Sequence, residues 1–400
     1  MKKMSNGRSI KPLSVAAVGL RGIPNVEGGI ESHAQSLYGL LAQQGFEVTV
    51  HARDAFVADK GPHQWRGVRI VPSWSPSRAG LEALIHTFIA IIKARLEGAD
   101  LLHIHAVGPA LLTPMARLLG FRVVVTHHGR DYEREKWGPV AKFLLKMGER
   151  FAAKYAHRVI CVARNDADRL NREYGQGTAV AIPNGAPKLA PADSSSILQS
   201  LDLVPGRYVL NVARLVPEKR QLDLIAAFGR LAPAGWKLAF VGSALNESDY
   251  PGIVGQAAAR TPGCLMCGTR GGSELSTLYA SAGVYVLPSA HEGLPITLLE
   301  ALSFGLPCIA SDIPANREVR LGEECYFPVG DIAALASVLD NVIRSAQANP
   351  SAERGSLGQR LELLPPEFQW QSVAEATGIV LLEAAGRPVS TVAGTPVGGN

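Results

Sequence analysis

The feature that most constrains this chain is an alternation of strand and helix signals that occurs twice. Apolar runs bounded by Gly or Pro at 13–19, 46–51, 68–71, 101–105, 121–126 and 159–162 alternate with stretches of i, i+3, i+4 apolar spacing at 30–44, 81–96, 109–119 and 139–156. Strands alternating with helices imply a parallel sheet covered on both faces. Turn and linker residues concentrate at 183–196, and the pattern then restarts with strands at 208–212, 238–241, 264–267, 284–287 and 307–310 and helices at 221–231, 274–281 and 297–304. The expected fold class is α/β, with two Rossmann-like domains facing each other across a cleft, because open parallel sheets bind ligands beyond the carboxyl ends of their strands. The expected domains are 1–188 and 189–370, with a helix at 371–385 packing back on the first domain. A Gly-, Pro- and Thr-rich stretch at 386–400 reads as a disordered tail.

A chain of 400 residues, 47% hydrophobic and 19% charged, has the composition of a soluble globular protein and exceeds what one core usually organises. The lysines before residues 13–20 imitate a secretory signal, but the run ends at Arg21 without a small-residue cleavage site and reads as a first strand. The apolar span at 83–92 contains His86, stops at Lys93 and falls short of the roughly 18 residues a spanning helix needs. Five cysteines give no disulfide framework and suit a reducing, cytoplasmic setting. Cys264 and Cys267 form one CxxC without a second pair, in a segment read as a buried strand, which disfavours zinc. Net charge is +11 over residues 1–190 and −6 over the remainder. No aromatic-basic interleaving of the nucleic-acid-binding kind accompanies that asymmetry, so an anionic membrane surface is the better candidate partner.

Three constellations carry chemistry. In HEGLPITLLEAL, Gly293 permits close backbone approach, Pro295 stiffens a turn, and the helix start aims its N–H groups at an anion such as a diphosphate. Glu292 precedes that turn, and Glu300 lies about one turn into the helix, where a carboxylate can accept both hydroxyls of a ribose. Thr297 and Glu300 also fit a capping box, so sequence leaves both readings of Glu300 open. In NVARLVPEKRQLDLI, Arg214 and Lys219 leave a strand and precede a helix, a placement that suits a diphosphate, although the segment in isolation reads more readily as two surface cations. In RGIPNVEGGIES, Gly28 and Gly29 open a helix without GxGxxG or a P-loop signature, and serve either a close approach or a plain tight turn.

These segments, with THHGRDYEREKWG and IPNG, resemble the family four glycosyltransferases of the GT-B fold, in particular their bacterial polysaccharide-assembly members. The resemblance covers nearly the whole chain. It implies that the first domain is the acceptor side and the second the nucleotide-sugar donor side. It implies further that Glu292 orients the donor sugar, Glu300 holds the ribose, and Arg214 and Lys219 bind the diphosphate. Gly293, Leu294, Pro295 and Ile296 form the donor loop, Thr269 and Arg270 line the base pocket, Gly28 and Gly29 close on the phosphates, and His128 contacts the donor sugar. It also implies transfer with retention of anomeric configuration, the leaving phosphate accepting the acceptor's proton, with no cofactor and no metal. Arg220 departs from the pattern, since many members have glycine after the lysine.

Asp166 and Asp168 imitate the DxD of a metal-dependent glycosyltransferase class, but Asn165 and Asp166 start a helix, where capping and dipole compensation account for them. His103 with His105 and His127 with His128 offer imidazoles at neighbouring strand ends without a Cys or carboxylate signature. Lys136, Lys142, Lys146, Arg150, Lys154 and Arg158, interleaved with Trp137, Phe143, Leu144 and Phe151, form a basic amphipathic stretch suited to the inner face of a membrane, or else a solvated face over a core stripe. The function expected is transfer of a sugar from a nucleotide-diphosphate-sugar to a lipid-linked or polysaccharide acceptor, with no nucleic-acid partner. Alternatives are a GT-B epimerase or phosphorylase, the latter needing a Schiff-base lysine that no segment supplies, and a non-catalytic nucleotide-sugar or glycan-binding protein.

Overall fold

The computed structural model describes residues 11–26, 28–76, 82–133, 137–186, 195–243, 249–348 and 365–389. The chain divides into two compact units, one of residues 1–132, 137–182 and 370–400, the other of residues 133–136 and 183–369. The change of unit at 182/183 falls six residues before the expected end of the first domain at 188.

The N-terminal unit runs β1 (Ser14–Val18), α1 (Gly29–Gln43), β2 (Glu47–Arg53), β3 (His63–Trp65), β4 (Val68–Ser73), α2 (Glu82–Leu96), β5 (Leu101–His105), α3 (Thr113–Leu118), β6 (Arg122–His127), α4 (Pro139–Tyr155), β7 (Arg158–Cys161), α5 (Arg164–Tyr174) and β8 (Ala179–Ala181). Its sheet has the order β3-β4-β2-β1-β5-β6-β7-β8. Only the short β3, unforeseen in the sequence, pairs antiparallel. After Ser14, β1 is apolar at every position because both faces are covered: Val15 and Ala17 join Leu37, Tyr38 and Leu41 of α1, while Ala16 and Val18 join Ala90, Ile91 and Ala94 of α2. Each fully buried side chain of Val or Leu size contributes roughly 1.5–3 kcal/mol. The helix Trp370–Ala385 places Val373, Ala374 and Leu381 in the α1 cluster. The expected tail does not begin at once: Arg387 donates to the Lys11 carbonyl at 2.6 Å and to Asp100 at 2.9 Å, while residues 390–400 lie outside the described residues.

The C-terminal unit runs α6 (Ser195–Ser200), β9 (Tyr208–Val212), α7 (Gln221–Leu231), β10 (Lys237–Val241), α8 (Tyr250–Arg260), β11 (Cys264–Met266), α9 (Gly272–Ser281), β12 (Val284–Leu287), α10 (Ile296–Ser303), β13 (Cys308–Ser311), α11 (Pro314–Arg317), β14 (Tyr326–Phe327) and α12 (Ile332–Ala348). The order β11-β10-β9-β12-β13-β14 is parallel throughout. β11 is the edge strand and only half buried, not the buried strand expected, although Cys267 beyond it is buried. In each unit the direction of chain advance reverses beside the first strand, between β1 and β5 and between β9 and β12, which creates a crevice at the carboxyl ends of those strands.

The exit of β10 must pass that of β9 closely. Gly242 has φ +141°, and a Cβ there would lie 2.0 Å from the Ala213 carbonyl oxygen, immediately before Arg214. Gly242→Ala is therefore expected to cost about 1–3 kcal/mol of unfolding free energy through forced backbone displacement. An unchanged urea midpoint would contradict this packing.

Candidate functional site

In the C-terminal unit the first strand exit carries Arg214 and a 3-10 turn, Pro217–Lys219. Lys219 is only 8% exposed and donates to a carboxylate oxygen of Glu292, which leaves the sheet beyond β12. Burial removes the surface-cation reading for Lys219, since a buried ammonium requires a partner. The two strand exits are further tied by Ala290 N–H donating to the Glu218 carbonyl at 2.8 Å. Arg220 follows at φ +50°, ψ +39°, in the left-handed region. That backbone explains why glycine is common there in the resembling family, and Arg220 offsets the strain with an ion pair to Asp223 at 2.6 Å.

The loop after Glu292 leads into α10, whose N-cap is Pro295 with no side-chain cap. The capping box is therefore not made. Thr297 Oγ1 accepts instead from the Tyr285 hydroxyl at 2.8 Å, and Glu300 Oε2 accepts from the Tyr279 hydroxyl at 2.7 Å. Burial pushes the Glu300 carboxyl up to about 7, against the opposing effect of the Tyr279 hydrogen bond. The loop itself is pinned by the buried Asn184 of IPNG, whose side chain donates to the Leu294 carbonyl at 3.1 Å. Thr269 is exposed, and Arg270 is engaged within its own loop, donating to the Cys267 carbonyl at 2.8 Å and pairing with Glu274 at 3.3 Å.

In the N-terminal unit Gly28 caps α1 at φ +145°, and a Cβ there would meet Glu31 Oε2 at 2.1 Å. Glu31 accepts the Arg21 N–H at 3.1 Å, so the glycine makes room for the carboxylate that fastens the β1 exit. Gly29 is exposed, and a Cβ there would meet nothing within 4 Å. His128 follows β6 and its Nε2 lies 2.9 Å from His105 Nδ1. Burial, then the neighbouring imidazoles, holds the His128 pKa well below its usual value, so the ring is neutral. His127 points elsewhere, to Glu149 at 2.9 Å, and Glu149 also binds Arg169 at 2.8 Å. Asp166 is not a helix cap, since the N-cap is Ala163 without a side-chain bond. It pairs with Arg130 at 2.8 Å, which accounts for half of the imitation DxD. Among the described residues, one group has metal-ligating atoms within 4.8 Å of one another, His33, His105 and His128, a set that neither histidine pair in the sequence indicates.

Residues 27–187 match the family described as Glycosyltransferase Family 4, and residues 206–345 match Glycosyl transferases group 1. The chain belongs to the family four glycosyltransferases. These are enzymes of the hexosyltransferase type with the GT-B fold. A relative from Escherichia coli, UDP-Gal:alpha-D-GlcNAc-diphosphoundecaprenol alpha-1,3-galactosyltransferase, is 33% identical over 55% of this chain and 59% of its own length. Thus the chain spans little more than half of that relative. The alpha-maltose-1-phosphate synthase of Mycolicibacterium smegmatis is 26% identical over 88% of this chain and 95% of its own. Among solved structures, sucrose-phosphate synthase from Thermosynechococcus elongatus superposes with a TM-score of 0.77 at 23% identity, covering 93% of this chain and 98% of that one. Anabaena HepE in complex with UDP-glucose gives 0.72 at 17% identity, covering 92% and 99%.

Sequence alone assigns no role to Asn184, Tyr279 or Tyr285 of this glycosyltransferase. The signal for Asn184 was the short IPNG motif, whereas a tyrosine inside an apolar helix or strand carries none. The raised Glu300 pKa has a measurable sign. Between the ordinary value of 4.5 and about 7 the folded enzyme holds a proton that the unfolded chain has released. This stabilising contribution is full below that window and is lost as pH rises through it. Glu300→Gln is expected to flatten the fall in urea midpoint between about pH 5 and about pH 8. An identical pH dependence in wild type and variant would contradict the assignment.

Proposed function

We propose that this glycosyltransferase moves a hexose from a nucleoside-diphosphate donor, a uridine nucleotide first among them, onto a lipid-linked or polysaccharide acceptor in cell-surface glycan synthesis. The observation that carries the reading is the buried Lys219–Glu292 pair at the β9 and β12 exits, with Glu300 held by Tyr279 in the adjoining helix. The name of the Escherichia coli relative, with its UDP-Gal donor and diphosphoundecaprenol-linked acceptor, supports both substrate classes.

In this reading Arg214 and Lys219 bind the diphosphate, aided by the N–H groups of the Gly293–Ile296 loop at the start of α10. Glu292 neutralises Lys219 while the site is empty and turns to the sugar hydroxyls when the diphosphate takes over the ammonium. Glu300 accepts the ribose hydroxyls, Thr269 and Arg270 border the base, and Gly28 and Gly29 let the loop after β1 approach the phosphates. His128 bonds the donor sugar as a neutral imidazole. The anomeric carbon loses its bond to the diphosphate oxygen and gains one to the acceptor oxygen, with retention of configuration. The leaving phosphate takes the acceptor's proton. Charge that grows on the diphosphate is met by fixed cations, each charge-assisted hydrogen bond contributing roughly 1.5–3 kcal/mol. No metal ion is required in this scheme, because Arg214, Lys219 and the helix start supply the positive field.

Calorimetry with UDP, GDP, dTDP and ADP, each with and without EDTA, tests the donor. UDP is expected to bind irrespective of EDTA, and Lys219→Ala to weaken it about tenfold or more. Unchanged affinity in the variant, or loss of binding with EDTA, would defeat the scheme.

We further propose peripheral association with the inner membrane face through α4. Val140 is 74% exposed, Phe143 63% and Leu144 43%, on the same helix as Lys142, Lys146, Arg150 and Lys154. Apolar side chains left in water beside cations suit insertion into an anionic interface, each cation adding about 1 kcal/mol. Lys136 lies outside the described residues, and among those described no helix is long and apolar enough to cross a membrane. Co-sedimentation with anionic liposomes should fall when Lys142, Lys146 and Lys154 become Gln and when salt is raised. Retention by both tests would remove this proposal.

A further inference from the structure

We propose that Tyr38 and His105 are positioning residues that fix the tautomer of His128, through a buried hydrogen-bond chain whose polarity leaves the His128 proton on Nδ1. The inference rests on the reading that His128 acts on the donor sugar, and it adds which ring nitrogen donates and what compels it.

The chain has five members, all in the N-terminal unit. Thr126 Oγ1 lies 2.7 Å from His103 Nε2, and His103 Nδ1 lies 2.9 Å from the Tyr38 hydroxyl. The same hydroxyl lies 2.5 Å from His105 Nε2, and His105 Nδ1 lies 2.9 Å from His128 Nε2. His103 and His105 can both take part because residues two apart on β5 face the same way, toward Tyr38 of α1. Burial keeps His103 at about 3, keeps His105 and His128 well below their usual pKa, and raises Tyr38 well above its own. Every member is therefore neutral, and each ring carries one proton.

One proton per ring permits two polarities. In the first, Thr126 donates to His103 Nε2, His103 Nδ1–H to the Tyr38 oxygen, the Tyr38 O–H to His105 Nε2, and His105 Nδ1–H to His128 Nε2. The His128 proton then sits on Nδ1, on a ring that is only partly buried. In the second every bond reverses, and the buried Thr126 hydroxyl must accept from His103. Among the described residues Thr126 Oγ1 has no other hydrogen-bond partner, side chain or backbone, so the reversed chain strands its proton in a site 1% exposed. A stranded buried donor incurs its full desolvation penalty, whereas the first polarity satisfies every proton along the chain as far as His128. The first polarity is selected at Thr126, and its consequence appears four hydrogen bonds away at His128. In that polarity His105 Nδ1 and His128 Nε2 are joined by a proton, which sets the chain against a metal ion shared by His33, His105 and His128.

The test is long-range proton–nitrogen correlation NMR on the full-length chain labelled with 15N-histidine, with His128→Asn to assign the ring. The expected result is a single Nδ1–H tautomer at His128 in wild type, retained in Thr126→Ser. Tyr38→Phe should convert His105 and His128 to mixed tautomers. A wild-type proton on Nε2 would overturn the proposal, as would an unaltered His128 signal in folded Tyr38→Phe. Stoichiometric ZnCl2 that removes the ring-proton signals in wild type but not in His33→Ala would overturn it in favour of a metal site. The wild-type spectrum decides the polarity even if Tyr38→Phe does not fold. A correct tautomer with no UDP binding would leave this chain standing and refute the donor reading instead.

Discussion

Parallel strands buried on both faces impose the constraint from which the rest of this structure follows. Such a sheet sends all its strand exits to one edge, and where the order of strands reverses, two neighbouring exits turn apart and leave a crevice. In the C-terminal unit the reversal lies between β9 and β12. Lys219 and Glu292 are 73 residues apart in sequence and meet because their strands are neighbours at that reversal. In the N-terminal unit the reversal lies between β1 and β5, which brings the Gly28 turn and His105 to corresponding places.

The charged residues at these exits are held in two distinct ways. Glu292 and Lys219 neutralise each other, so neither is an isolated buried charge. Among the described residues no cation pairs with Glu300, which is held by a neutral tyrosine hydroxyl, so burial raises its pKa. The same contrast recurs in the N-terminal unit. Glu149 is ion-paired with Arg169 and pulled down to about 2 by its His127 and Arg169 hydrogen bonds, against the effect of burial. His128, one residue from His127, belongs to a chain of neutral groups instead.

Much of this was legible beforehand for a local reason. Strand and helix periods are short-range, so 208–212 as β9 and 221–231 as α7 were readable from spacing alone. Boundaries failed where one residue's hydrogen bonding decides them. The helix expected at 109–119 is a 3-10 turn over Pro109–Leu112 followed by α3, because Pro114 brings no N–H to the first turn. The capping box at Thr297 failed because the helix start is fixed by backbone geometry at Pro295, and the motif's spacing fits equally well two residues inside. Asp166 was misread as a cap because its partner, Arg130, lies 36 residues away.

Sequence by itself determined the two α/β units, the family, and which residues stand at the strand exits, since each depends on periodicity or a contiguous motif. Tertiary structure alone decided what those residues hold. It gave Glu300 to Tyr279, Asn184 to the Leu294 carbonyl, and His128 to a chain running back to Thr126. Hydrogen bonds act over about 3 Å regardless of separation along the chain, so partners contributed by different strands leave no mark on the order of residues.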